Sequence, residues 1–126
     1  MAREGRKSTN LTVHHIKPRS RLTREERTLL NGQNKVKWFN PFHIAWHIIF
    51  FNLTLPECHA YIGEIFGGSS TTSLYDSLGE KRQTGIRYVF DGMTIEQCHR
   101  FMEEVSRPRE EFSEEALLML RKEIIV

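Results

Sequence analysis

The chain has 126 residues, 39% of them hydrophobic and 27% charged, values that are ordinary for one globular domain and argue against a disordered chain. The longest apolar run, residues 44–51, is interrupted by His47 and is too short to span a bilayer. Charge is uneven: residues 1–37 carry ten basic and three acidic side chains, whereas the remainder carries eight and thirteen. A net +7 followed by a net −5 favours a polyanion-facing N-terminal part.

The two cysteines, Cys58 and Cys98, do not form a Cys-x-x-Cys pair, which excludes a zinc ribbon or a thioredoxin motif. The N-terminus is polar and basic and lacks the apolar segment of a secretory signal. We therefore expect a cytoplasmic protein with reduced thiols and no membrane association.

The N-terminal part predicts two short strands and a helix. In chain order we expect a flexible basic arm (1–10), a strand (11–16), a short helix or irregular loop capped by Thr23 (22–30), a strand (35–39) and a helix (40–51). Asn40 is the predicted N-cap of the last of these, with Pro41 at its first position.

The remainder predicts helices only, at about 54–66, 74–78, 81–90, 94–105 and from 113 onwards, with a polar linker at 69–73. Residues 54–64 align without gaps on residues 94–104, an offset of 40 that indicates a duplicated helix-turn-helix-type pair. We expect the two pairs to pack together with Cys58 and Cys98 in their shared core. The fold class is α+β, mainly α.

Four histidines carry the chemical signal. His43 and His47 are four residues apart on a predicted helix, so both imidazoles lie on one face and can hold one metal ion. His14 and His15 are neighbours on a predicted strand and point to opposite faces, so one can bind metal while the other acts nearby. At the 40-residue offset Gln83 and Arg87 replace His43 and His47, so the helix pair does not require these histidines.

The segment His14-His15-Ile-Lys-Pro-Arg-Ser-Arg21, followed by Asn34-x8-His43-x3-His47, resembles the HNH endonuclease family over residues 11–54. The resemblance implies a ββα-metal motif in this part and a helical extension in residues 55–126. It also implies that His14, His43 and His47 bind one divalent cation (Zn, Mg, Mn or Ni), that His15 is the general base and that Asn34 orients His15.

The basic residues beside the predicted base, Lys17, Arg19 and Arg21, can bind phosphate oxygens. The sequence departs from the family at Leu22-Thr23, where many members have a glycine pair, so Asn31 and Asn40 are alternatives to Asn34. A second metal site at the Cys58-His59 and Cys98-His99 dipeptides is disfavoured, because neighbouring helix positions are about 100° apart.

Three functions agree with these observations. The first is a metal-dependent nuclease that hydrolyses phosphodiester bonds, with DNA favoured over RNA by family analogy alone. The second is a nucleic-acid-binding module that cuts weakly, and the third is a metal-stapled structural or adaptor protein. Native metal, sequence specificity and oligomeric state are not encoded in a recognisable form.

Overall fold

The computed structural model describes residues 10–30, 33–67 and 74–125. Residues 1–9 of the predicted arm (1–10), residues 31–32 and the predicted linker at 69–73 lie outside these ranges. In chain order the elements are β1 (Leu11–His15), a 3-10 turn (Arg19–Arg21), α1 (Arg24–Leu29), β2 (Lys35–Phe39), α2 (Asn40–Phe50), α3 (Leu55–Gly67), α4 (Leu74–Ser77), α5 (Glu80–Phe90), α6 (Ile95–Val105), β3 (Glu111–Phe112) and α7 (Glu114–Ile125). A mainly helical chain with one small sheet confirms the α+β class.

The sheet has the order β1-β2-β3. β1 and β2 are antiparallel and place His14 opposite Val36, and His15 opposite Lys35. Burial alternates along β2, where Val36 and Trp38 are buried while Lys35 and Lys37 are exposed, as a sheet covered on one face requires. β3 pairs in parallel with β2 and was not predicted, because two residues are too few to show an alternating pattern.

Three helices begin with the predicted capping box. Thr23, Thr54 and Thr94 each accept a hydrogen bond from the backbone of the residue three positions on, and that residue's side chain accepts one from the threonine backbone. The predicted cap at Asn40 is wrong. Asn40 is already helical, and its Oδ1 accepts a hydrogen bond from the Thr12 hydroxyl on β1 instead of capping α2.

One hydrophobic core joins the N-terminal sheet to the helices. α2 packs against α5, α3 against α6, and α6 against α7. Cys58 and Cys98 are buried as predicted, and burial raises the pKa of their thiols to about 12 and about 11. α2 and α5 approach closely at Gly85, where a Cβ atom would lie 3.2 Å from the Ile49 side chain. None of the helices in the described ranges has the length and apolar character needed to cross a membrane.

Phe101 on α6 is fully buried, and its ring makes edge contacts with Phe42 of α2 and Phe90 of α5. We expect Phe101→Ala to lower the free energy of unfolding by about 3–5 kcal/mol, since truncation leaves a cavity between three helices. Urea denaturation followed by circular dichroism measures this loss. Met119→Ala is the matched control, because Met119 is 65% exposed and should change stability by less than about 0.5 kcal/mol. Equal effects at both positions would contradict this packing.

Candidate metal centre

β1 and α2 bring three histidines together. One nitrogen from each of His14, His43 and His47 lies within 4.8 Å of the others, the only such group of three possible ligands found in the described ranges. The ring centroid of His14 lies 5.3 Å from the centroid of His43 and 5.3 Å from that of His47. The centroids of His43 and His47 are 4.8 Å apart. The helical pair and the strand histidine therefore meet as the sequence predicts, although the ion itself is not established by this geometry.

Hydrogen bonds at the far side of each ring orient the two helix histidines. His47 Nδ1 lies 2.8 Å from the carbonyl oxygen of Phe51, which can only accept, so Nδ1 carries the proton. His43 Nδ1 lies 2.7 Å from the Thr12 hydroxyl, whose own hydrogen is donated to Asn40 Oδ1. In both neutral rings the unprotonated nitrogen is therefore Nε2. A histidine that binds metal through one ring nitrogen usually donates a hydrogen bond from the other, as both rings do here.

The two Nε2 atoms face each other at 3.0 Å. Because each carries a lone pair and no hydrogen in this tautomer, the contact is favourable when a proton or a metal cation lies between the two nitrogens. A tetrahedral zinc site with bonds of 2.0–2.1 Å needs ligand nitrogens about 3.3 Å apart, close to the observed spacing. The donor set, three imidazoles, suits zinc, nickel and related transition ions better than Mg²⁺. The residues present therefore fit a divalent transition metal.

His14 is almost completely buried, and its ring stacks on Trp38 with centroids 3.8 Å apart. Its Nδ1 has no hydrogen-bond partner among the described residues, an uncommon condition for a buried polar atom. Burial, and then the neighbouring His43 and His47, lower the pKa of His14 to about 2. Burial and then His47 lower the pKa of His43 to about 4. Both rings stay neutral at pH 7, the state in which imidazole binds metal.

These two lowered pKa values predict that the metal-free protein is acid-sensitive. In the unfolded chain each histidine returns to a pKa near 6.5, so just below this pH the unfolded chain binds more protons than the folded one. Stability therefore falls as the pH falls. We expect the melting temperature in EDTA to drop by several degrees between about pH 7 and pH 5. A double variant, His14→Phe with His43→Gln, should show a weaker pH dependence, and an equally steep one would contradict the assignment.

Comparison with known protein families gives no matching family model, and comparisons with curated proteins and with solved structures give no significant match. The likeness to HNH nucleases consequently depends on the motif and the site geometry alone.

His15 does not join the three-histidine group. As the neighbour of His14 on β1 it lies on the other side of the strand, in a cavity of about 290 Å³ that Arg19, Asn34 and Lys35 also line. Burial, and then the positive charges of Lys35 and Arg19, lower the pKa of His15. A neutral ring in a cationic cavity agrees with the predicted base, while the role itself stays a prediction.

Asn34 is buried and holds the loop that follows β1. Its Oδ1 accepts a hydrogen bond from the Lys17 backbone N–H, and its Nδ2 donates one to the Lys17 carbonyl, both at 2.8 Å. The Asn34 carbonyl also accepts a hydrogen bond from the Ile16 backbone. Asn34 therefore hydrogen-bonds to the backbone of the two residues that follow His15, and not to the His15 ring. If Asn34 orients that ring, it does so through this backbone. Of the alternatives, Asn40 bonds Thr12, and Asn31 is outside the described residues.

The three basic residues of the predicted phosphate site differ in their surroundings. Lys17 forms an ion pair with Glu26 at 2.7 Å, and the Arg21 guanidinium binds both carboxylate oxygens of Glu57. Only the side chain of Arg19, which lines the His15 cavity, has no ion-pair partner among the described residues. Phosphate binding stays a prediction for all three, and the structure favours Arg19 for it.

The disfavoured second metal site is not assembled. Cys58 and Cys98 lie in the core, whereas His59 and His99 are only partly buried and meet each other, with Nδ1 atoms 2.6 Å apart. His59 Nε2 lies 2.6 Å from a Glu103 carboxylate oxygen. His99, His59 and Glu103 thus form a continuous chain of hydrogen bonds between α3 and α6.

Sequence reasoning missed two groups of the site, the Thr12 hydroxyl and the Phe51 carbonyl. Thr12 lies two residues before His14 and therefore on the same face of β1, so strand alternation could have indicated it. No sequence pattern could have indicated Phe51, because the group that binds His47 is its backbone carbonyl oxygen, which every residue has.

Proposed function

We propose that this protein is a metal-dependent endonuclease of the HNH type that hydrolyses phosphodiester bonds in nucleic acid, with DNA favoured over RNA. The observation that carries the proposal is the convergence of His14, His43 and His47 from a strand and a helix, next to a fourth histidine on the same strand. A three-histidine site alone is not specific for this chemistry, and the adjacent His15 with its cationic cavity makes hydrolysis of a phosphodiester the better supported function.

His14, His43 and His47 would hold the cation through ring nitrogens, with His43 oriented by Thr12, His47 by the Phe51 carbonyl and His14 by its stacking on Trp38. When bound, a divalent metal supplies positive charge for the scissile phosphate and for the leaving 3′ oxygen. His15 would take a proton from the attacking water, whose oxygen bonds to phosphorus as the bond to the 3′ oxygen breaks. Arg19 would bind a phosphate oxygen beside His15.

The same proposal includes the ββα-metal motif and the duplication. β1, β2 and α2 have the order and pairing that the motif requires, with histidines contributed by β1 and α2. Two observations support a duplication. α2 packs on α5 and α3 packs on α6, so helices related by the 40-residue offset are packing partners. α3 and α6, which would be the second helix of each copy, both follow a threonine capping box, at Thr54 and Thr94.

A plasmid-nicking assay tests the function. Protein freed of metal with EDTA is supplied with Mg²⁺, Mn²⁺, Ni²⁺ or Zn²⁺ in turn, and conversion of supercoiled to relaxed plasmid is followed on a gel. We expect nicking with at least one ion, no nicking in EDTA, and none from His43→Ala. Absence of nicking with every ion, by protein shown to bind metal, would refute the nuclease proposal.

One observation favours a second candidate, a metal-stapled protein without nuclease activity. His15 opens into a different cavity from the one that His43 and His47 line, so its distance from a metal-bound phosphate depends on how substrate enters. In that case metal would raise the melting temperature while neither nicking nor salt-dependent DNA binding occurred.

A further inference from the structure

A groove of about 610 Å³ begins at His43 and His47 and runs along the outer face of α2 towards the start of α5. Its wall is largely apolar and includes Ile44 and Ile48, and Ile44 is 53% exposed. The volume is within the range of small-ligand sites, and the two metal-ligand candidates form one end of it. The groove is therefore the solvent route to the metal centre on the side of α2.

Phe51 supplies an exposed aromatic ring in this groove. The residue has φ 52° and ψ −120°, a backbone conformation that strongly favours glycine, yet it carries a bulky side chain that is 56% exposed. The core does not need that ring. Its carbonyl oxygen accepts the hydrogen bond from His47 Nδ1, so the strained turn ties the ring's position to a metal-ligand candidate.

The opposite wall of the groove is cationic. The Arg82 guanidinium lies over the Phe51 ring, 4.3 Å from its centroid, and is also held by the Tyr61 hydroxyl at 3.0 Å. Lys81 beside it is exposed and forms no ion pair with any of the described residues. Lys17 and Arg21, in contrast, already bind carboxylates. Besides Arg19 on the His15 side, a positive charge without an ion-pair partner among the described residues thus lies at the start of α5.

We propose that this groove binds an unpaired nucleotide of the substrate strand, with its base on Phe51 and a neighbouring phosphate on Lys81. The proposal depends on the proposed function, because it identifies the strand that the metal centre would cut. An apolar wall, an exposed ring and a lysine that has no ion-pair partner among the described residues match the base and phosphate of a single strand. A paired base in a duplex could not lie on Phe51 without leaving its stack.

Fluorescence anisotropy with a labelled thymidine 12-mer, in EDTA so that no cutting occurs, tests this site. We expect Phe51→Ala to weaken binding about tenfold or more, and Phe51→Trp to restore it, since one base loses and regains its stacking partner. Lys81→Glu should weaken binding and make the dependence on salt less steep by about one phosphate contact. Lys122→Glu, an exposed lysine on α7, is the matched control and should have a smaller effect.

Circular dichroism melts establish that the variants fold, which the exposure of both side chains predicts. Unchanged affinity in folded Phe51→Ala and Lys81→Glu would overturn the proposal, as would failure of the wild-type protein to bind the 12-mer. A larger loss from Lys17→Glu than from Lys81→Glu would also overturn it and locate the strand on the loop after β1. If the groove variants weaken binding but no ion supports plasmid nicking, the nuclease proposal fails and the binding site stands.

Discussion

His15→Ala will reduce the initial rate of plasmid nicking by about 100-fold to 10,000-fold while leaving metal binding intact, if His15 is the general base. Removal of the imidazole removes the acceptor for the water proton. It leaves all three candidate ligands in place, because His15 lies on the other side of β1 from His14. Single-turnover nicking rates, measured beside zinc binding by isothermal titration calorimetry, separate these two effects.

His59→Ala is the matched control, since His59 is a partly buried histidine whose hydrogen bonds all go to α6. Its nicking rate should stay within about twofold of the wild-type rate. If His15→Ala cuts as fast as His59→Ala, another group accepts the proton and the assignment of the base is wrong. If His15→Ala instead loses zinc, then His15 supports the metal centre rather than the attacking water.

Zinc will raise the melting temperature of the metal-free protein by about 10 °C at a free concentration 100 times its dissociation constant. Binding to the folded state alone contributes about 2.7 kcal/mol at that ratio, and each kcal/mol shifts melting by a few degrees in a chain of this size. The candidate ligands come from β1 and α2, so one ion would join two elements that are 29 residues apart at His14 and His43. Differential scanning calorimetry with and without zinc measures the shift.

His43→Ala removes a candidate ligand, whereas Thr12→Val removes only the group that orients it, so the first change should weaken zinc binding more than the second. His43→Ala should abolish the shift, with zinc affinity reduced by at least about 100-fold. Thr12→Val keeps the shape of the side chain but removes the hydroxyl that accepts from His43 Nδ1, and should weaken zinc binding by about 10-fold. A wild-type shift that survives His43→Ala would place the bound zinc elsewhere in the chain.

The parts of the fold that local chemistry determines were predictable. The threonine caps at Thr23, Thr54 and Thr94 involve residues three positions apart, so their sequence signature is complete. The prediction for Asn40 failed because a tertiary contact replaced the local one. It has the side chain of an N-cap, but β1 lies close enough for Thr12 to bind it. β3 is a two-residue segment whose pairing with β2 depends on how the chain returns after α6.

The candidate site also contains residues that local patterns predict and residues whose contacts depend on the tertiary fold. Helix geometry alone places His43 and His47 on one face, and strand alternation separates His14 from His15. The ion pair of Arg21 with Glu57 joins residues 36 positions apart, so no local pattern announces that this predicted phosphate ligand already has a partner. The start of α5 likewise reaches the candidate metal centre through tertiary packing. The Phe51 carbonyl is only four residues from His47, but it is a backbone group that no side-chain pattern marks.

Trp38 connects the three-histidine group to the C-terminal half of the chain. Its ring backs His14, and its Nε1 donates to the Val105 carbonyl at the end of α6 across 67 positions. The backbone of Arg109 also binds the Lys35 carbonyl. A fragment ending near residue 54 would thus keep the three histidines and Trp38, but it would lose the Val105 carbonyl and the Arg109 backbone that hold Trp38 and β2 in place. We therefore expect a cut near Pro108 to weaken zinc binding at the candidate metal centre, although none of the three histidines is touched.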